Sequence, residues 1–84
     1  MGQMSKNKFD DDQISNKVYE FRVLSHLSQK GLADAVGVSK QTILVMEKGH
    51  YSPSLKLAFR IANYFNVPIT DIFGYKEGDD SDGH

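Results

Sequence analysis

The stretch from residue 28 to residue 47, SQKGLADAVGVSKQTILVME, contains two short helical patterns separated by a single glycine. Ser28 and Ser39 each precede one pattern, where a serine hydroxyl can accept a hydrogen bond from the first turn of a helix. Gly37 suits the left-handed backbone conformation that commonly ends a helix. The stretch predicts helices over about 29–36 and 40–47 that cross steeply at a short turn. Their apolar faces are formed by Leu32, Ala33 and Val36 and by Ile43 and Met46.

Length and composition limit the possible classes of protein. The chain has 84 residues and no cysteine, so we expect one small domain without disulfide or thiolate support. Its hydrophobic content is 39%, which is ordinary for a globular domain. No apolar run approaches the roughly 18–20 residues of a membrane span, and no signal-peptide pattern opens the chain. We therefore expect a soluble, cytoplasmic protein that does not associate with a membrane.

The formal net charge of −1 conceals an uneven distribution of charge along the chain. Residues 16–77 contain eight basic and five acidic side chains, a net charge of +3, whereas residues 1–15 carry −1 and residues 78–84 carry −3. Affinity for DNA depends on lysine and arginine side chains that face phosphates. The net positive charge of residues 16–77 is therefore compatible with a DNA-binding surface. Its modest charge favours a dimer for tight binding, and the acidic ending can compete with DNA for the basic surface.

Three further helices are predicted from the periodic segments on either side. Val18 and Phe21 stand at helical spacing and indicate a first helix that begins after Asn16. A broad apolar face predicts a fourth helix over about 54–65, and Pro68 opens a short fifth helix. The pattern thus predicts an all-α domain of five helices.

The two ends of the chain are polar and lack periodicity. We expect a disordered N-terminal tail at residues 1–14 and an acidic, disordered C-terminal tail at residues 76–84. The folded domain is then expected at residues 15–75. Met4 is a candidate for the natural start of the chain.

A set of residues in fixed register extends the pattern over most of the chain: Asn16, Phe21, Arg22, Leu27, Ser28, Gln29, Leu32, Ala33, Gly37, Val38, Ser39, Gln41, Thr42, Ile43, Glu47, Lys48, Gly49, Pro53, Ser54, Leu55, Ala58, Ile61, Ala62, Asp71, Ile72 and Phe73. In these residues the segment 16–73 resembles the Cro and phage-repressor class of helix-turn-helix proteins, the xenobiotic-response-element family of bacterial transcriptional regulators. The resemblance implies a five-helix, lambda-repressor-like domain. Its helices two and three would form the helix-turn-helix unit, and its third helix would read DNA, usually in a two-fold dimer.

The resemblance also implies an ion pair between Arg22 and Glu47, near the ends of the first and third helices. Such a pair fixes the angle of the third helix and touches no base. Removal of one partner from a buried pair leaves an uncompensated charge and typically costs ~3–5 kcal/mol. We therefore expect a structural role for both residues.

The outward face of the third helix carries the candidate base contacts Lys40, Gln41, Thr42, Leu44 and Val45. Lys40 can donate to guanine O6 and N7 or to a phosphate, and Gln41 suits the N6 and N7 edge of adenine. Thr42 can meet a phosphate or a thymine methyl group. Many relatives have small or polar residues where Leu44 and Val45 stand, so contacts with thymine methyl groups, and hence A·T pairs in the site, are expected. Leu44 can alternatively pack against the fourth helix or a partner.

The candidate phosphate contacts are Ser28, Gln29, Ser39, Lys48, His50 and Tyr51. The amide of Gln29 and the free N–H groups of the first turn can hold a phosphate at the positive end of the helix dipole, where the resemblance implies this role. Replacement of Gln29 is then expected to weaken binding to all sequences alike. The alternative for Gln29, Lys48 and His50 is a solvated side chain without a DNA contact.

The role of Val23 and Leu24 remains open between two alternatives, whereas neither a metal site nor enzymatic activity is expected. Val23 and Leu24 either extend the core or join Phe65, Phe73 and Tyr75 in a dimer surface. His26 and His50 have no cysteine or close acidic partner at ligand spacing, so no metal site is expected. No cofactor motif or catalytic constellation stands out, and we expect no enzymatic activity.

These features favour a sequence-specific regulator of double-stranded DNA, a repressor that binds an inverted-repeat operator as a homodimer through helix 40–47. The alternative is an antitoxin-like or partner-binding module, which would use the same fold to bind an unknown protein. The salt dependence of DNA binding would discriminate between them, because each neutralised phosphate contributes a log–log slope of about −0.9.

Overall fold

A computed structural model describes residues 12–78 of the chain. Five helices and two short strands follow one another in this part. In chain order they are β1 (Gln13–Asn16), α1 (Val18–Leu24), α2 (Gln29–Val36), α3 (Lys40–Glu47), α4 (Leu55–Phe65), α5 (Ile69–Ile72) and β2 (Phe73–Lys76). Across residues 12–78, no helix combines the length and the apolar character that crossing a membrane requires.

The bounds of α2 and α3 confirm the two helices predicted from the sequence. The side-chain oxygen of Ser28 accepts a hydrogen bond from the backbone N–H of Gly31 at 2.8 Å. That of Ser39 accepts one from the N–H of Thr42 at 3.1 Å. Both hydroxyls therefore cap helices, because they satisfy first-turn donors that have no partner within the helix. Gly37 has a φ of +78°, a left-handed conformation, and ends α2.

Helix α4 starts after Ser54 and ends at Asn66, close to the predicted bounds. The hydroxyl of Ser54 accepts a hydrogen bond from the backbone N–H of Leu57 at 3.1 Å. Asn66 has a φ of +60° and ends the helix in the left-handed conformation that asparagine tolerates well. The buried face of α4 consists of Leu57, Ala58, Ile61 and Ala62.

A single apolar core lies between the helices. Its largest fully buried side chains are Leu32, Ile43, Met46, Ile61, Ile72, Val18 and Val36. Among residues 12–78 no polar or charged residue is fully buried. Ala33 is 1% exposed, and its small side chain lies on the face of α2 that packs in this core. Because Ile43 and Met46 anchor one face of α3, the opposite face of that helix is turned away from the core.

The two strands make the all-α prediction approximate, and they overlap the ends of both predicted tails. β1 and β2 pair antiparallel, with Gln13 opposite Lys76 and Asn16 opposite Phe73. The predicted N-terminal tail at 1–14 thus includes Gln13 and Ile14, which belong to β1, and the predicted C-terminal tail includes Lys76 of β2. Each strand has only four residues with largely exposed side chains, so neither produces a recognisable alternation of polar and apolar residues. The other residues of both predicted tails, except Asp12, Glu77 and Gly78, lie outside the described part.

Candidate nucleic-acid interface

The first turn of α3 carries the two most exposed candidate base contacts. Lys40 and Gln41 are both exposed, and the cap at Ser39 fixes the start of the helix beneath them. Thr42 is half-buried, and its hydroxyl lies 3.0 Å from the hydroxyl of Ser39. The ammonium group of Lys40 and the amide of Gln41, which can both donate and accept, therefore project from the capped end of α3. Groups held in this way can form hydrogen bonds with base edges.

Leu44 and Val45 are half-buried. Neither belongs to the partly buried apolar side chains that pack against the core cluster. Their surfaces are therefore accessible in part, next to the exposed first turn of α3. An apolar surface at this position suits contact with the methyl group of thymine.

The guanidinium of Arg22 pairs with the carboxylate of Glu47 through two hydrogen bonds. Its Nε donates to Oε2 at 2.6 Å and its Nη2 to Oε1 at 3.2 Å. Only 12% of the Arg22 side chain and 6% of the Glu47 side chain are exposed. The hydrogen bond to Glu47 raises the pKa of Arg22 above its ordinary value. A third donor, Nη1, binds the backbone oxygen of Leu27 at 2.8 Å, so the guanidinium joins α1, the segment before α2 and the end of α3.

Two amide side chains also hold the last turn of α3, and sequence reasoning predicted neither contact. Nδ2 of Asn16 donates to the backbone oxygen of Met46 at 3.0 Å, while Oδ1 of Asn16 accepts from the backbone N–H of Val18 at 3.0 Å. Nε2 of Gln29 donates to Oε1 of Glu47 at 3.1 Å. The only available signal was the presence of Asn16 and Gln29 among the residues that carry the family resemblance.

The candidate phosphate contacts Ser39 and Lys48 lie at opposite ends of α3, and Ser28 and Gln29 lie at the start of α2. The hydrogen bond between Gln29 and Glu47 brings the first turn of α2 beside the last turn of α3. Gln29 is therefore in contact with the residue that precedes Lys48 in the chain. Ser39 stands at the other end of α3. Ser28, Ser39 and Lys48 are exposed, whereas Gln29 is half-buried.

His50 and Tyr51 lie in the loop after α3, and both are exposed. This loop and the two strands line a shallow depression that is formed by Asp12, Gln13, Ile14, Gly49, His50, Tyr51, Ser52 and Tyr75. The sheet thus lies next to the segment that leaves the third helix. No pattern in the sequence indicated this neighbourhood, because the strands themselves were not predicted.

Tyr75 and Asp12 connect the two ends of the described chain. The hydroxyl of Tyr75 donates to the carboxylate of Asp12, as does the backbone N–H of Gly78. These hydrogen bonds, the one from Tyr75 above all, hold the pKa of Asp12 below its ordinary value. The same contact raises the pKa of the Tyr75 hydroxyl.

The core alternative for Val23 and Leu24 is wrong. Their exposed fractions are 43% and 80%. Phe65 and Phe73, the proposed companions in a dimer surface, instead pack against the core cluster. Phe65 also stacks at a tilt on Phe21, with ring centroids 5.5 Å apart.

With this geometry in place, comparison with known proteins gives the class of protein. The helix-turn-helix family profile matches residues 18–72, which include all five helices. The chain belongs to this family, in the Cro and phage-repressor class of DNA-binding transcriptional regulators. The match covers α2 and α3, the two helices for which the sequence predicts the helix-turn-helix unit.

Individual relatives agree with this assignment. The chain is 53% identical over 64 residues to a protein of Methanocaldococcus jannaschii that is named an HTH-type transcriptional regulator; the match covers 76% of this chain and 97% of that protein. It is 36% identical over 64 residues to the cryptic phage CTXphi transcriptional repressor RstR of Vibrio cholerae, over 76% of this chain and 58% of that protein. The crystal structure of the transcriptional regulator VanUg has the same fold, with a TM-score of 0.67 and 24% identity over 88% of this chain and 99% of that one.

Proposed function

We propose that the protein is a sequence-specific repressor that binds double-stranded DNA in the cytoplasm with α3 in the major groove. The observation that carries this proposal is the two-sided character of α3. Ile43 and Met46 are fully buried on one side, while Lys40 and Gln41 are exposed on the other. The major groove admits one α-helix, and a helix held in this way presents its side chains to base edges.

The exposed side of α3 determines which bases are read. Lys40 donates to guanine or to a phosphate, and Gln41 makes a bidentate contact with adenine. Leu44 and Val45 meet thymine methyl groups, and Thr42 contacts a thymine methyl group or a phosphate at the edge of the helix. The operator half-site therefore contains A·T pairs opposite the second turn of α3.

The phosphate contacts orient the domain on the duplex. Ser28 and Gln29 bind one phosphate at the start of α2, where free N–H groups and the helix dipole favour an anion. Ser39 contacts a phosphate at the start of α3. Lys48, His50 and Tyr51 follow the backbone beyond the end of α3. These contacts set the register but carry no sequence information of their own.

The protein acts as a homodimer on an inverted repeat. With two-fold symmetry, both recognition helices meet one face of the duplex when half-sites are about one helical turn, ~10 bp, apart. A dimer also has twice the modest net positive charge of residues 16–77, which strengthens phosphate binding. The assignment as a repressor is supported by the similarity to RstR, which is named a repressor.

In vitro selection from a random pool of duplexes tests this function. We expect a recovered consensus that is palindromic, with A·T pairs in each half, and an affinity that falls steeply with salt. The logarithm of the binding constant should fall with the logarithm of the salt concentration, with a slope of about −0.9 for each neutralised phosphate. Failure to enrich any sequence, together with weak and salt-insensitive retention, would refute the proposal.

A second candidate function is a module that binds a protein partner, as an antitoxin does. The exposed apolar side chains Leu24 and Leu55, which are 80% and 70% accessible, are the observation in its favour. Salt-insensitive retention on any duplex would favour this function over the first.

A further inference from the structure

Glu47 accepts hydrogen bonds from two different elements of the fold. Its Oε2 takes a hydrogen bond from Arg22 at 2.6 Å, and its Oε1 takes one from Arg22 at 3.2 Å and one from Gln29 at 3.1 Å. Arg22 is itself fixed by the backbone oxygen of Leu27 at 2.8 Å. The carboxylate that ends α3 therefore has its position set jointly by α1 and by the first residue of α2.

One N–H donor of the Gln29 amide is not used by its hydrogen bond to Glu47. A glutamine NH₂ group carries two hydrogens, and its oxygen only accepts. One hydrogen of Gln29 is directed at Glu47, as the 3.1 Å contact shows. The other is available for a phosphate oxygen at the start of α2, so one side chain can hold a DNA phosphate and the end of α3 at the same time.

The two ends of α3 are held by different kinds of contact. Its first turn is fixed by the cap at Ser39, and its middle by the buried side chain of Ile43. Its last turn is fixed by the buried side chain of Met46 and by polar contacts, from Asn16 to the backbone oxygen of Met46 and from Gln29 to Glu47. Loss of the contact from Gln29 removes support from one side of the last turn, and because an α-helix is stiff, the resulting change in its orientation reaches the first turn.

We infer that Gln29 is a positioning residue for base readout, which acts through Glu47 on the orientation of α3 and couples that orientation to phosphate binding. The inference rests on the proposed function and deepens it. It revises the expectation that Gln29 serves only as a phosphate ligand. A phosphate ligand alone adds the same free energy to every sequence, whereas a residue that orients α3 contributes to discrimination between sequences.

The variant Gln29→Met tests the inference because methionine keeps the length of the side chain and removes its hydrogen bonds. Affinities are measured for the selected operator and for a scrambled duplex of the same length. We expect the ratio of the two affinities to fall by about tenfold, or ~1.4 kcal/mol. The salt dependence should stay the same, since glutamine carries no charge. An equal loss on both duplexes would overturn the inference.

Two further variants control this measurement. Lys30→Gln changes the neighbouring residue, whose Nζ contacts Asp34 within α2 at 2.9 Å. It should alter affinity on both duplexes by the same factor and leave the ratio unchanged. Gln29→Lys supplies an ammonium group with three donors, so we expect it to restore much of the lost discrimination. A lack of any recovery in Gln29→Lys would count against the inference.

A measurement on the free protein separates this inference from the proposed function. Backbone amide NMR spectra of Gln29→Met are compared with those of the unchanged protein, without DNA. We expect shifts at Lys40 and Gln41, about 10 Å along α3 from Glu47, because the helix tilts. Shifts confined to the first turn of α2 and to Glu47 would refute the positioning role. If the unchanged protein showed no sequence preference, the proposed function would fail, and the inference with it, whatever the spectra showed.

Discussion

Arg22 binds both carboxylate oxygens of Glu47, with contacts of 2.6 and 3.2 Å, and thereby connects α1 to the end of α3. Both side chains are almost entirely withdrawn from solvent. The pair therefore acts as a fixed connection between α1 and the end of α3, the helix that carries the proposed base contacts. The stability of the domain and the orientation of α3 therefore depend on the same two residues.

Removal of Arg22 should strongly destabilise the fold. In Arg22→Met the carboxylate of Glu47 remains in its site without a cation, and we expect the free energy of unfolding to fall by ~3–5 kcal/mol. Urea denaturation measures this loss. Lys30→Met provides the matched control, because it breaks a pair with Asp34 whose side chains are 73% and 67% exposed. In the control the free energy of unfolding should fall by no more than about 0.5 kcal/mol. Equal losses in the two variants would contradict the structural role of the Arg22–Glu47 pair.

Gln41 should determine the preference at one base pair. In Gln41→Ala the exposed amide is removed from the first turn of α3, and we expect a loss of ~1–3 kcal/mol of discrimination at a single position of each half-site. Competition binding with duplexes that carry single base-pair changes measures it. A loss spread evenly over all positions would show that Gln41 contacts only the backbone.

Lys48 should contribute to the affinity for every duplex and not to the preference for one base pair. Lys48→Gln removes a charge that lies beyond the end of α3, so we expect weaker binding to every duplex and a log–log salt slope smaller by about 1. Titrations at several salt concentrations measure the slope. The assignment of Lys48 to a phosphate fails if the slope is unchanged.

Asp12 should titrate below its ordinary value because Tyr75 and the Gly78 N–H donate to its carboxylate. These hydrogen bonds favour the folded state above the unperturbed pKa of 3.8, and their contribution disappears as the pH falls through the lower folded pKa. For Tyr75 the folded pKa is raised above 10.0, so its contribution is present below that pH and disappears as the pH rises through the folded pKa.

The variant Tyr75→Phe tests this pair directly. It removes the first-named cause of the shift, and the pKa of Asp12 should move up toward 3.8. An NMR titration of the Asp12 carboxyl carbon measures the change. An unchanged pKa in Tyr75→Phe would show that the backbone N–H of Gly78 accounts for the shift.

Local chemistry made much of the fold predictable. The caps at Ser28 and Ser39 and the left-handed end at Gly37 are properties of a few neighbouring residues, and they give the bounds of α2 and α3 directly. The exposed position of Lys40 and Gln41 follows in the same way, because the spacing of the apolar residues assigns the opposite side of α3 to the core. These features need no information from distant parts of the chain.

The sequence by itself determined the five helices, their apolar faces and the family to which the chain belongs. Only the tertiary structure decided that Gln13–Asn16 pairs with Phe73–Lys76 and that Asn16 and Gln29 hold the last turn of α3. The physical reason is the range of the interactions. Helices are specified by hydrogen bonds and side-chain contacts three or four residues apart, whereas these pairings join distant parts of the chain and exist only after the helices have packed.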